Sequence, residues 1–126
     1  MKISSFLVIK AIISFVFGIP LLLATAPLMS LYGFDIDPVG TLALRYFGAV
    51  LIGIGLVCVL ARSFTETRAL QGVTLALFIG DSIGFVVALL GQFGPTANPL
   101  GWLNVAIWLF LALGLGYFRF LGLRAS

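Results

Sequence analysis

The sequence predicts an all-α membrane protein, with four transmembrane helices in an up-down-up-down bundle and both termini cytoplasmic. Three observations predict it. Hydrophobic residues make up 62% of the 126 and charged residues only 9%, far from the roughly 25% charged composition of soluble domains. The apolar residues gather into four runs, each near the ~20 residues that cross a hydrocarbon core. Short polar segments with turn and cap chemistry separate them, giving one transmembrane domain over residues 1–126 with helices at about 6–31, 38–61, 64–91 and 99–121.

The first span, Phe6 to Leu31, is interrupted by Lys10 and contains Pro20 and Pro27. Lys2, Lys10 and the small-x-small run Ala24-Thr25-Ala26 have the outline of a signal peptide. The apolar stretch is longer than a typical signal core, and Pro27 would follow the scissile bond as a poor substrate, so the segment reads as a retained span. The two prolines are expected to kink or thin its outer half.

The connection GFDIDPVG, Gly33 to Gly40, ends in Asp37-Pro38. That pair is an N-cap followed by proline at the first helical position, so the second helix starts there. Asp35 and Asp37 supply too few oxygens for calcium, which takes about six to eight. In RSFTETR, Arg62 to Arg68, the spacing of Ser63 and Glu66 predicts a capping box for the third helix. So short a turn predicts antiparallel neighbours. Asn98-Pro99 repeats the cap-then-proline device before the fourth helix, and Trp102 follows at interfacial depth.

Orientation follows from the cations. Four spans put Lys2, Lys10, Arg62, Arg68, Arg119 and Arg124 on one side, with Arg45 the exception, so the positive-inside rule makes that side cytoplasmic. A shift of 61 residues lays Asp37 to Leu42 on Asn98 to Leu103, and Gly53-Ile54-Gly55 on Gly114-Leu115-Gly116. This predicts two hairpins of one orientation related by an axis along the membrane normal.

The third span, Gly72 to Gly91, carries Asp81 at its middle, the one acidic residue inside an apolar run. Gly72, Ala76, Gly80, Gly84 and Ala88 recur every fourth position, the small-xxx-small pattern of close helix contacts, and Gly48, Gly53 and Gly114 are further packing candidates. Arg45, on the neighbouring span, and Asn104 are the expected partners of Asp81. Together they form either a buried polar clasp that fixes which helices meet or an ion site in a pathway.

Composition also limits the chemistry. The chain has no histidine, which removes imidazole ligation of haem, zinc, copper or a chlorophyll magnesium and the usual general base. Cys58 lies in an apolar segment without a thiolate-stabilising neighbour and reads as a packing residue. With no paired carboxylates, no catalytic residue or metal site is expected and the chain is not read as an enzyme. The scattered basic residues form no stripe for nucleic acid.

Arg45-Tyr46-Phe47-Gly48-Ala49, Gly80-Asp81-Ser82-Ile83-Gly84, Asn98-Pro99-Leu100-Gly101-Trp102 and Gly114-Leu115-Gly116-Tyr117 resemble signatures of small bacterial four-helix membrane proteins of the DoxX-like kind. The resemblance implies a four-helix bundle in the bacterial cytoplasmic membrane and supplies no catalytic residues. Small multidrug transporters are similar in size and span count, but they carry an acidic residue in the first helix, where this chain has none, and their dual insertion conflicts with the charge bias. The leading expectation is an accessory or scaffold subunit without an intrinsic cofactor. It packs against membrane lipids and either larger integral membrane subunits or further copies of itself. A lipid, quinone or pigment would be held without histidine. The alternative is a small proton-coupled or cation-linked transporter using Asp81.

Overall fold

The structure, a computed structural model, describes residues 2–95 and 97–122. Among these residues it is all-α, with helices α1 (Ile3–Leu23), α2 (Thr25–Leu31), α3 (Pro38–Ala61), α4 (Thr67–Gly91) and α5 (Pro99–Tyr117), the last running into a π-helical turn, Phe118–Gly122. Four helical segments are long and apolar enough to cross a membrane: Ile3–Leu23, Pro38–Ala61, Thr67–Gly91 and Pro99–Gly122. The chain divides into two compact units, Met1–Ser63 and Phe64–Ser126. Arg124, counted in the charge bias, lies outside the described residues.

In the first unit α1 packs against α3. The helices approach most closely where two glycines meet. A Cβ placed on Gly48 would lie 2.8 Å from the Gly18 carbonyl oxygen and 2.9 Å from the Leu22 nitrogen, and one on Gly18 would lie 3.0 Å from the Gly48 oxygen. Farther along the antiparallel pair, Gly55 receives the ring of Phe15, 2.9 Å from where a Cβ would stand. The buried Leu51 and Cys58 continue this face of α3.

The first span is not one kinked helix but two. Pro27 cannot donate to the Leu23 carbonyl and its ring would collide with it, so α1 ends at Leu23 and Ala24 turns away with φ −141° and ψ 54°. The buried Thr25 hydroxyl donates to the Leu21 carbonyl oxygen, replacing part of the lost ladder. Pro20, by contrast, is accommodated inside α1.

α2 closes with a Schellman turn. Phe34 N–H donates to the Met29 oxygen and Gly33 N–H to the Ser30 oxygen, each at 3.0 Å, with Gly33 at φ +80°. Gly33→Ala is therefore expected to lower stability by about 1 kcal/mol, because a Cβ is disfavoured in the left-handed region. A reduced thermal midpoint in detergent is the expected reading. An unchanged midpoint would contradict a requirement for glycine there.

α3 and α5 begin alike. Asp37 Oδ1 accepts from Gly40 N–H at 2.6 Å and Asn98 Oδ1 from Gly101 N–H at 3.0 Å, each ahead of a proline in the first turn. The capping box expected for the third helix does not form. α4 starts at Thr67 after Glu66, which makes no side-chain cap, while the Ser63 hydroxyl donates to the Leu60 oxygen and serves the end of α3 instead. In the second unit α4 packs antiparallel to α5, with Trp108 against Gly84 and Phe78 against Gly116.

Candidate functional site

Gly84 and Phe78 define the face that α4 turns to α5. Asp81 lies three residues from each, roughly 60° to either side around the helix, and is 4% exposed. Reading the two contacts as an antiparallel register places Asp81 opposite the buried Ala112. Thr74, seven residues earlier on the same face, is fully buried, and its hydroxyl makes no hydrogen bond. A polar line therefore runs through an otherwise apolar helix pair, with a carboxylate at mid-span.

The other expected members of the site are placed differently. Asn104 is half-buried on α5, eight residues from Ala112 and so about 12 Å along the axis from the level of Asp81. Arg45 belongs to the first unit, on an exposed stretch of α3 with Tyr46 and Phe47. Within the second unit the structure separates Asp81 from Asn104 along the helix axis.

The expected small-residue row divides in the same way. An i, i+4 row advances about 40° per step, so it winds around α4 rather than running along one face. Gly72, Ala76 and Gly80 lie on the exposed side, where a Cβ at either glycine meets nothing, and Gly84 and Ala88 turn inward. A Cβ on Gly84 would fall 2.5 Å from the Trp108 ring. On α3, Gly48 is in backbone contact whereas Gly53 faces open space. Gly114 is half-buried beside the fully buried Leu115.

Contacts not singled out in the sequence are as informative. Gly18 is one half of the α1/α3 crossing, and Gly55 and Gly116 each accept a phenylalanine ring at 2.9 Å from the helix preceding them in their own unit. The 61-residue offset that aligns Gly55 with Gly116 could have identified both. Lys10, read as an orienting charge, is 3% exposed on the buried face of α1 with Phe6, Leu7 and Ser14. Its signal was its position, about one turn inside the apolar run.

The loop joining α4 to α5 is fastened by Gln92, whose Nε2 donates to the Asn98 oxygen at 2.9 Å. The amide group of Gln92 occupies the space a Cβ on Gly101 would need, and Phe93 meets Trp102 edge to face. This end of the hairpin is held by local contacts, and nearer mid-span Phe78 of α4 packs edge to face on Phe120 of the π-helical turn.

Helix length and hydropathy decide the class. The chain is a small multi-pass membrane protein. No family model matches it, and no curated protein or solved structure does. Among the described residues no group of three or more His, Cys, Asp and Glu side chains is arranged to hold a metal ion. What this membrane protein offers chemically is one buried carboxylate in its second unit, buried threonine and lysine side chains, and glycines on α3 and α4 that are closed by contact on one side of the helix and open on the other.

Proposed function

We propose that this protein is a small, non-catalytic accessory or scaffold subunit of the bacterial cytoplasmic membrane, DoxX-like, with both termini cytoplasmic, seated against larger integral membrane chains. The observation that carries the reading is the division of its glycines. Gly18, Gly48, Gly55, Gly84 and Gly116 are used up inside the two hairpins, while Gly53, Gly72 and Gly80 stand open on exposed helix faces. Lipid tails gain nothing special from an open glycine, whereas a second helix gains close backbone approach. α4, the least covered span, also exposes Ile79, Ile83, Val86 and Val87 around that row. Isolation of the full chain in mild detergent is expected to bring larger membrane chains at a fixed ratio. Recovery as a lone, stable homo-oligomer contradicts the proposal.

A second reading rests on Asp81, since a carboxylate buried at mid-span is costly and is commonly retained for a task. It makes the protein a proton-coupled or cation-linked carrier. Asp81→Asn keeps the side-chain shape and removes the titrating group. In vesicles containing the full chain, the scaffold reading predicts the same proton flux for this variant as for the parent. Flux that disappears while the protein keeps its assembly state transfers the assignment to the carrier.

A further inference from the structure

The second unit carries a lateral groove of about 650 Å³ between α4 and α5, walled by Phe78, Phe85 and Val86 on one side and Leu109, Leu113 and Phe120 on the other. Ser82 and Tyr117 are the polar side chains lining it. Along α5 and the π-helical turn it extends from Leu109 to Leu121, twelve residues or about 18 Å. Half of a ~30 Å hydrocarbon core is of similar depth. The groove therefore has the length and lining of a bed for one acyl chain of a single leaflet.

Its end is basic. The wider π-helical turn Phe118–Gly122 presents Arg119 and Phe120 in succession, and the Arg119 guanidinium carbon stands 5.5 Å from the centre of the Phe120 ring. Phe120 in turn meets Phe78 edge to face at 5.5 Å. Arg119 Nε is buried without a hydrogen-bond partner, and the side chain as a whole is half-buried where a span ends and headgroups begin. Arg68 and Glu66 are the other charged residues described at this end of the hairpin, both exposed.

We propose that this groove is a binding site for an anionic phospholipid, with one acyl chain along Phe78, Phe85 and Leu113 and the phosphate on Arg119. The site is independent of the scaffold reading, because it needs only a hairpin in a bilayer. Charge complementarity selects the occupant. A headgroup whose net charge stays negative gains from the guanidinium, and one that carries its own cation gains less.

The test uses the full chain in mild detergent, incubated with phosphatidylglycerol or phosphatidylcholine of the same acyl length, with retained lipid read by native mass spectrometry. The parent is expected to keep phosphatidylglycerol in preference, and Arg119→Gln to lose about fivefold of that preference. Arg119→Lys retains most of it, and Arg68→Gln leaves it unchanged. Val86→Trp, which fills the groove wall, lowers retention of both lipids, and helicity by circular dichroism accompanies each variant. Equal retention of the two lipids by the parent overturns the proposal, as does a folded Arg119→Gln that behaves like the parent. If Arg119→Gln does not fold, Val86→Trp decides: unchanged retention overturns the site.

Discussion

Gly48→Ala is expected to open the first hairpin. The added methyl would lie 2.8 Å from the Gly18 oxygen and 2.9 Å from the Leu22 nitrogen, and both are backbone atoms that cannot turn aside. Relief requires the two helices to separate, and overpacking of this kind costs about 1–3 kcal/mol. Alanine improves helix propensity by nearly 1 kcal/mol over glycine, which offsets part of that cost. Gly53→Ala is the internal control, because its methyl meets nothing and only the propensity gain remains. Cys58 supplies the readout, being fully buried in the same unit. A net loss of up to about 2 kcal/mol raises the open population by up to roughly 30-fold, and maleimide labelling of Cys58 is expected to accelerate accordingly. Labelling of Gly48→Ala at the rate of Gly53→Ala would remove the close crossing from the account.

In the second hairpin the largest effect belongs to Gly84→Ala. Its methyl would stand 2.5 to 2.8 Å from three carbons of the Trp108 indole. A side chain can move where a backbone cannot, so the outcome depends on whether the indole has somewhere to go. Trp108 is itself half-buried in the helix pair, and turning it removes its packing as well as its clash. The clash costs about 1–3 kcal/mol, of which alanine's helix propensity returns nearly 1 kcal/mol, and the net loss is read as a lower midpoint in detergent denaturation followed by tryptophan emission. Trp108→Leu should relieve much of the penalty of Gly84→Ala, so the double variant is more stable than the sum of the two singles predicts. Strict additivity would mean that the glycine and the indole do not press on one another.

The starts of the helices were legible where the chemistry is local. Asp37-Pro38 and Asn98-Pro99 each combine a side-chain acceptor with a residue that has no N–H to satisfy, and α3 and α5 begin there. The capping box at Ser63 was equally local but ambiguous, since one hydroxyl can serve the helix before it or the helix after it. The preceding helix obtained it. Pro27 was visible as a perturbation, but a kink and a break differ only in whether Leu23 can keep its carbonyl geometry. Asp81 was readable as a buried group because Gly84 and Ala88, small residues of the packing row, lie roughly 60° and 20° from it around the helix, and it is 4% exposed. The winding of the small-residue row was also computable from helix geometry, yet a row of five reads on the page like a stripe. Gly84 is in contact where it turns toward α5, and Gly72 and Gly80 are not. The burial of Lys10 was only half legible, because a lysine about one turn inside a span serves equally well as an orienting charge.

The most direct measurement of the scaffold proposal compares two bulky substitutions on opposite faces of α4. Gly80→Leu fills open space on the exposed face, and Gly84→Leu collides with Trp108 inside the hairpin. Each variant is isolated as the full chain in mild detergent, and the ratio of larger membrane chains recovered with it is measured beside its tryptophan emission. Gly80→Leu is expected to keep the emission of the parent and to lose the larger chains. Gly80→Leu that retains parent-level emission and recovers the same chains at the same ratio would contradict the proposal.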